Sequence, residues 1–120
     1  MMQNRRTIII ADVKQDFDAE TQRATWKVAS AKKMIAEFSP IGTNTYLALG
    51  GATKIYREKI AVKTSLFNRE PFIFSGGTLY EFVTFQPYVE NGAVNNDMLW
   101  LIVNETINKD VVAAIEKWGA

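Results

Sequence analysis

Met98-Leu99-Trp100-Leu101-Ile102-Val103 is six apolar residues without a break, and its reading decides the fold. Just upstream, Asn91-Gly92 is a turn signal, and Asn96 or Asp97 is suited to cap a helix N-terminus. Downstream, Ile107 stands one turn beyond the run. Asn108 suits the cap of a second helix, and Asp110 sits in that helix's first turn, where the backbone dipole favours an anion. Val111, Ile115 and Trp118 recur at i, i+4 and i+7 on one face, and Gly119 closes the segment. The period here is helical, so residues 96–119 are read as two C-terminal helices.

The first of these helices has an unusual surface. A helix on a monomer shows an apolar stripe with polar residues opposite, whereas Met98–Val103 leaves no polar face for almost two turns. Burying one such side chain is worth ~1.5–3 kcal/mol, so the run needs cover on more than one side. A single sheet layer in a chain of 120 residues has little material for that. A second copy of the chain is the simplest cover, and a helix sunk in its own core is the alternative. The expected dimer interface is Met98, Leu99, Trp100, Ile102, Val103, Ile107, Val111 and Ile115.

Upstream, the period is that of strands. Thr7-Ile8-Ile9-Ile10-Ala11-Asp12-Val13 is β-branched and strand-like, a polar stretch with Asp16, Asp18 and Glu20 follows, and Gln22–Ser30 alternates again. These make an N-terminal hairpin over 7–30 with a long acidic turn. Residues 31–39 are ambiguous between a strand and one helical turn. Thr43–Leu49 is strand-like, and Gly50-Gly51 marks a turn. In Lys54–Ser65, Tyr56, Ile60 and Val62 share one face with Glu58, while Arg57, Lys59, Ala61 and Lys63 share the other. A loop over 66–77 carries Phe67, Phe72, Ile73 and Phe74, part of which must pack. A last strand, rich in aromatic and β-branched residues, runs from Leu79 to about Tyr88. Strands grouped before helices predict an α+β domain over 1–120: a hairpin at 7–30, an antiparallel sheet of about five strands reaching 88, and two helices over 96–119 that interlock in a dimer.

Composition narrows the function. The chain has no cysteine and no histidine, which removes thiolate chemistry, disulfides and the commonest general base and metal ligand. Binding or structural work is favoured over catalysis, with no cofactor and no metal. No apolar run approaches the ~18 residues of a membrane span, and the run after Arg5-Arg6 is too short for a secretory signal. Net charge is +1, so a polyanion would have to meet a local patch. Such a patch is at hand. Residues 54–63 hold Lys54, Arg57, Lys59 and Lys63 against Glu58, while residues 96–120 are net −2. The face Thr78, Tyr80, Phe82, Thr84, Gln86 and Tyr88 of the last strand would put hydroxyls, an amide and rings beside a basic row, as unpaired RNA bases and phosphates require. An ordinary solvated sheet face explains the same residues.

The run Thr78-Leu79-Tyr80-Glu81-Phe82-Val83-Thr84-Phe85-Gln86-Pro87-Tyr88, followed by a short loop and two capped helices, resembles the C-terminal half of the coat proteins of single-stranded RNA bacteriophages. Tyr56-Arg57-Glu58-Lys59-Ile60-Ala61-Val62-Lys63 is similar to that family's preceding strand, and the N-terminal hairpin and Ala36-Glu37-Phe38-Ser39 sit at compatible positions. The likeness covers nearly the whole chain. It implies interlocked dimers that close into an icosahedral shell, a virion part assembled in the cytoplasm of a bacterial host, and single-stranded RNA on the inner sheet face. The RNA-facing residues it implies are Arg57, Lys59, Lys63, Thr78, Tyr80, Thr84 and Gln86, with Asn44 and Tyr46.

Other readings compete. Asp12, Asp16 or Asp18 with Glu20 could hold a divalent cation, though without calcium-loop spacing. Ser75-Gly76-Gly77 lacks the lysine and the helix of a phosphate loop. A different phage part, such as a tail or connector subunit, and a small dimeric ligand-binding domain stay open.

Overall fold

The structure, a computed structural model, describes residues 4–40 and 58–119. Among them are six strands, β1 (Arg5–Asp18), β2 (Arg23–Pro40), β3 (Glu58–Lys63), β4 (Phe72–Ser75), β5 (Thr78–Glu90) and β6 (Ala93–Thr106), and one helix, α1 (Lys109–Gly119). A 3-10 turn at Thr64–Leu66 follows β3. All pairings are antiparallel and close a barrel in the order β1-β2-β3-β6-β5-β4. The expected α+β domain, with about five strands and two C-terminal helices interlocked in a dimer, is therefore corrected to a mainly-β fold with one helix.

The correction falls on Met98–Val103, which lies in β6. That run pairs on one edge with β3, from Lys63↔Met98 to Glu58↔Val103, and on the other with β5, from Pro87↔Leu99 to Phe82↔Val103. A strand between two neighbours whose both faces are covered reads as continuous hydrophobicity, with no alternation to betray it. Leu101 and Val103 point into the barrel at 0% exposure, and Ile102 points outward between Lys59 and Thr84 at 1%. The chain covers Leu101, Ile102 and Val103 by itself, so the need for a twin that rested on an all-apolar helix falls with the helix. Of the other residues assigned to the dimer seam, Met98, Leu99 and Trp100 lie in β6 and are half-buried, while Ile107 follows it and is 90% exposed. Val111 and Ile115 are buried inside the chain's own packing.

The second expected helix is present. The Asn108 Oδ1 accepts the Val111 N–H at 3.2 Å, as an N-cap does. Asp110 stands in the first turn and Lys117 in the last, matching the dipole at both ends. Val111 and Ile115 pack on the outer barrel face against Ala11, Val13 and Leu79, with Ile9, Phe72 and Phe74 around them. Trp118 remains 43% exposed.

Inside the barrel, Ile8, Ile10, Ala36, Phe38, Ile60, Val62, Ile73, Tyr80, Leu101 and Val103 form one cluster. Both ends are closed by side chains. At one end Phe67 rests on Phe82 with ring centroids 5.0 Å apart, and the buried Glu70 meets the Lys32 Nζ at 3.3 Å. At the other, the Arg6 guanidinium lies 4.4 Å from the Phe38 ring centroid and 3.8 Å from Glu58, to which the Tyr80 hydroxyl donates at 3.4 Å.

Two hairpins outgrow the barrel. β1 pairs with β4 only over Ile9–Ala11, and β2 with β3 only over Glu37–Pro40, so Asp12–Asp18 and residues 23–30 pair only with each other. Likewise Tyr88–Glu90 pairs only with Ala93–Asn95. Because successive strands alternate in direction, both tips extend from the same barrel end, on opposite sides of it. The long axis is 57 Å against 31 and 23 Å across. The second tip is an Asn91-Gly92 turn with φ of 52° and 80°, the pair of positive values that a two-residue hairpin of this kind demands.

Candidate functional site

α1 also packs on Trp26, Val28 and Ala31 of β2, so the sheet face it leaves open is the outer surface of β3, β6, β5 and the later part of β2. Antiparallel register lines up Glu37, Ala61, Trp100 and Gln86 in one row across the four strands, with Arg5 of β1 at its end. Ala61 is small, and a shallow depression of about 250 Å³ lies over it, bordered by Arg5, Ile35, Glu37 and Met98. Beside it, the Lys59 Nζ sits 4.6 Å from the Trp100 ring centroid, and Tyr88 stacks on the same indole at 5.0 Å and 21°. Lys59 is half-buried, and an ammonium over an indole at such a site is worth ~0.5–2 kcal/mol, which favours this place for it on the face. Burial raises the Tyr88 phenol pKa, and Glu37 and Glu90 push it the same way against Arg5.

The residues expected to face RNA divide between this surface and elsewhere. Lys59, Thr84 and Gln86 share it, and Lys63 lies exposed at its rim, at the end of β3. Tyr80 does not share it. It points into the barrel at 5% exposure, where burial and then Glu58 raise its pKa. The cause is a register shift between Phe82 and Thr84, which leaves Val83 without a partner and turns every earlier inward residue against every later outward one. Strict alternation therefore grouped Tyr80 and Phe82 with Thr84 and Gln86, which the bulge separates. Thr78 opens β5 opposite Ser75 and faces a groove of about 360 Å³ beside α1. Arg57, Asn44 and Tyr46 lie outside the described residues.

Two residues of this face were not among the RNA-facing set. Trp100 is assigned to the dimer seam because its run reads as a helix, and Tyr88, although alternation puts it on the same strand face as Gln86, is not in the set that the phage resemblance implies.

Among the described residues no three His, Cys, Asp or Glu side chains are placed to hold a metal. Asp16 of the acidic hairpin instead meets Lys27 at 3.7 Å, both exposed. Ser75-Gly76-Gly77 forms the β4–β5 turn, and the Ser75 hydroxyl donates to the Thr7 carbonyl at 2.9 Å, a structural role. No described helix is long and apolar enough to cross a membrane. The open face instead mixes Met, Trp, Tyr and Arg with charges of both signs, the composition enriched where proteins meet proteins. Compared with protein-family models and with curated proteins, the chain matches none.

Proposed function

We propose that this chain is a non-enzymatic structural subunit of a bacteriophage tail or connector, held by neighbouring subunits and assembled in the host cytoplasm into the virion. The observation that carries this reading is the pair of hairpin arms. An isolated two-stranded ribbon is marginal in water, yet these arms expose Phe17 at 70%, Val89 at 57% and Val94 at 55%. Arms of this kind gain stability from whatever they touch. The barrel supports the same reading from the other side. Among the described residues its interior is filled by side chains and closed at both ends, so it offers a rigid base. The two strands that resemble phage coat strands, residues 58–63 and 78–88, are β3 and most of β5. The coat architecture, which needs interlocked helices, is set aside with them.

A second reading has its own support. Lys59, Trp100, Tyr88 and Gln86 form a basic and aromatic cluster on which an unpaired base could stack. One preparation separates the two. The purified protein is weighed by light scattering and imaged by electron microscopy, with and without nuclease. Rings or tubes of many copies that hold no protected RNA are the expected result. A closed shell containing protected RNA would restore the coat function on a new fold. A monomer that binds single-stranded RNA, and loses it in Lys59→Ala, would favour the second reading and defeat the first.

A further inference from the structure

We infer that the β5–β6 arm is a self-association surface: its apolar face, carried by Phe85, Pro87, Val89, Val94 and Leu99, packs on the same face of a second copy about a two-fold axis. The inference deepens the assembly reading above by naming one contact between subunits.

Register defines the face. Three pairs follow one another along the ribbon: Phe85↔Leu101, Pro87↔Leu99 and Val89↔Val94. Directly opposed residues of antiparallel strands share a face. Leu101 points into the barrel, so this face carries the interior outward past the barrel end. The reverse face holds Gln86↔Trp100, then Tyr88↔Asn95, then Glu90. A ribbon wet on both sides has no need of such sorting, whereas apolar–polar alternation is the mark of one covered face.

Yet the face is bare. Phe85, Val89 and Val94 are 41%, 57% and 55% exposed and belong to neither core cluster. The Arg69 guanidinium, 5.5 Å from the Phe85 ring centroid, borders the face at its base. The β1–β2 arm is no cover for it. Strands of a barrel tilt roughly 35–45° to the axis, and those on opposite sides lean opposite ways, so the two arms splay. On the side that continues the interior, that arm also carries Lys14, Asp16, Thr25 and Lys27, which offer no apolar surface.

A second copy is the occupant this face fits. A two-fold contact sets a patch against itself, which opposes like charges wherever the patch is charged. The three pairs here contain no charged residue. With Pro87 exposed and Leu99 half-buried, the bare apolar area is on the order of 300 Å², as large as the biggest patch a monomer ordinarily leaves in water. Two such faces bury roughly 600 Å² and, with their rims, about the 1,000 Å² at which weak, reversible interfaces begin. Face to face, the ribbons become a small sandwich with layers ~10 Å apart, in place of two marginal lone hairpins. This contact closes at two chains, so rings or tubes would build from the pair through another surface.

The test uses the full chain. It has no cysteine, so a thiol placed on the face is the only one present. Val89→Cys and Val94→Cys are expected to give a two-chain product with a short bis-maleimide. Ile107→Cys, 90% exposed at the other end of β6, is not. In sedimentation, wild type is expected to associate as its concentration rises toward roughly 1 mM, and more tightly in ammonium sulfate, because the contact is apolar. Val89→Asp is expected to keep the wild-type circular dichroism and to weaken this association at least tenfold, while Ile107→Asp leaves it unchanged. The pair V89T/V94T, similar in shape and expected to weaken it about tenfold, carries the test if Val89→Asp fails to fold. Thiols at 89 and 94 that cross-link no better than the one at 107 would overturn the inference, and so would a Val89→Asp chain that associates as wild type does. Wild type monomeric at every concentration would overturn it and leave the face to a different protein. Rings or tubes that form with this face uninvolved would overturn it and leave the assembly reading standing. A dimer that never grows past two chains would uphold it and sink that reading.

Discussion

Leu101→Ala is the sharpest test of the barrel. Leu101 is 0% exposed and sits in the interior cluster between Ile60 of β3 and Phe85 of β5. Truncation removes ~1.5–3 kcal/mol of apolar transfer and adds the cost of a cavity that the surrounding strands cannot close, for a total of roughly 2–5 kcal/mol. Against the ~5–15 kcal/mol stability of a domain this size, that is a large fraction. At a urea slope of ~1.5 kcal/mol per molar, a loss of ~3 kcal/mol moves the unfolding midpoint down by ~2 M. The control is Ile107→Ala. Ile107 is 90% exposed, and its truncation is expected to change stability by less than ~0.5 kcal/mol. Both are measured by urea titration of circular dichroism. Equal losses at the two positions would refute the reasoning, because a pair of helices with Ile107 in their seam would produce that result. So would a loss at Leu101 below ~1 kcal/mol.

Three further outcomes follow from local chemistry. Asn108→Ala removes the acceptor of the Val111 N–H and is expected to cost about 1 kcal/mol in the same titration, with a matching loss of helical signal. Gly92→Ala places a side chain at φ 80° with open space around it, so backbone strain alone is at work. A loss of about 1–2 kcal/mol is expected, and no loss would mean that the turn is not of the positive-φ type. Tyr80, whose pKa burial and Glu58 raise above the ordinary 10.0, makes stability fall in alkali. The unfolded chain releases the phenolic proton first, so the stabilisation is whole below pH 10 and is lost as pH climbs through the folded value. Urea midpoints from about pH 8 to about pH 11 should therefore decline less in Tyr80→Phe than in wild type.

Much of the chain was readable because its signals are short-range. The cap at Asn108, the acid at Asp110 and the spacing of Val111 and Ile115 lie within two turns, and α1 has the expected place and buried face. The alternation in 58–63 correctly put Ile60 and Val62 inside and Lys59, Ala61 and Lys63 outside. The aromatic loop over 66–77 packs as expected, through Phe67 and through β4. The ambiguous segment 31–39 is strand, continuous with Arg23, so the hairpin of 7–30 is really 5–40. Its length could not be read, because Lys32 and Lys33 in mid-strand have the polarity of a loop. The candidate site was half legible. Lys59, Thr84 and Gln86 do share a face, but Tyr80 was lost to a bulge that a single sequence does not mark.

Residue chemistry alone was enough for what depends on neighbours a few places away: which segments alternate, and where α1 starts and stops. Tertiary structure alone decided whether 98–103 is helix or strand. An apolar segment covered on every side has no period. Its conformation is chosen by the partners that flank it, and those partners, Glu58–Lys63 and Phe82–Pro87, are distant in sequence. Barrel closure and the parity switch at Val83 are likewise properties of pairing, which no local window contains.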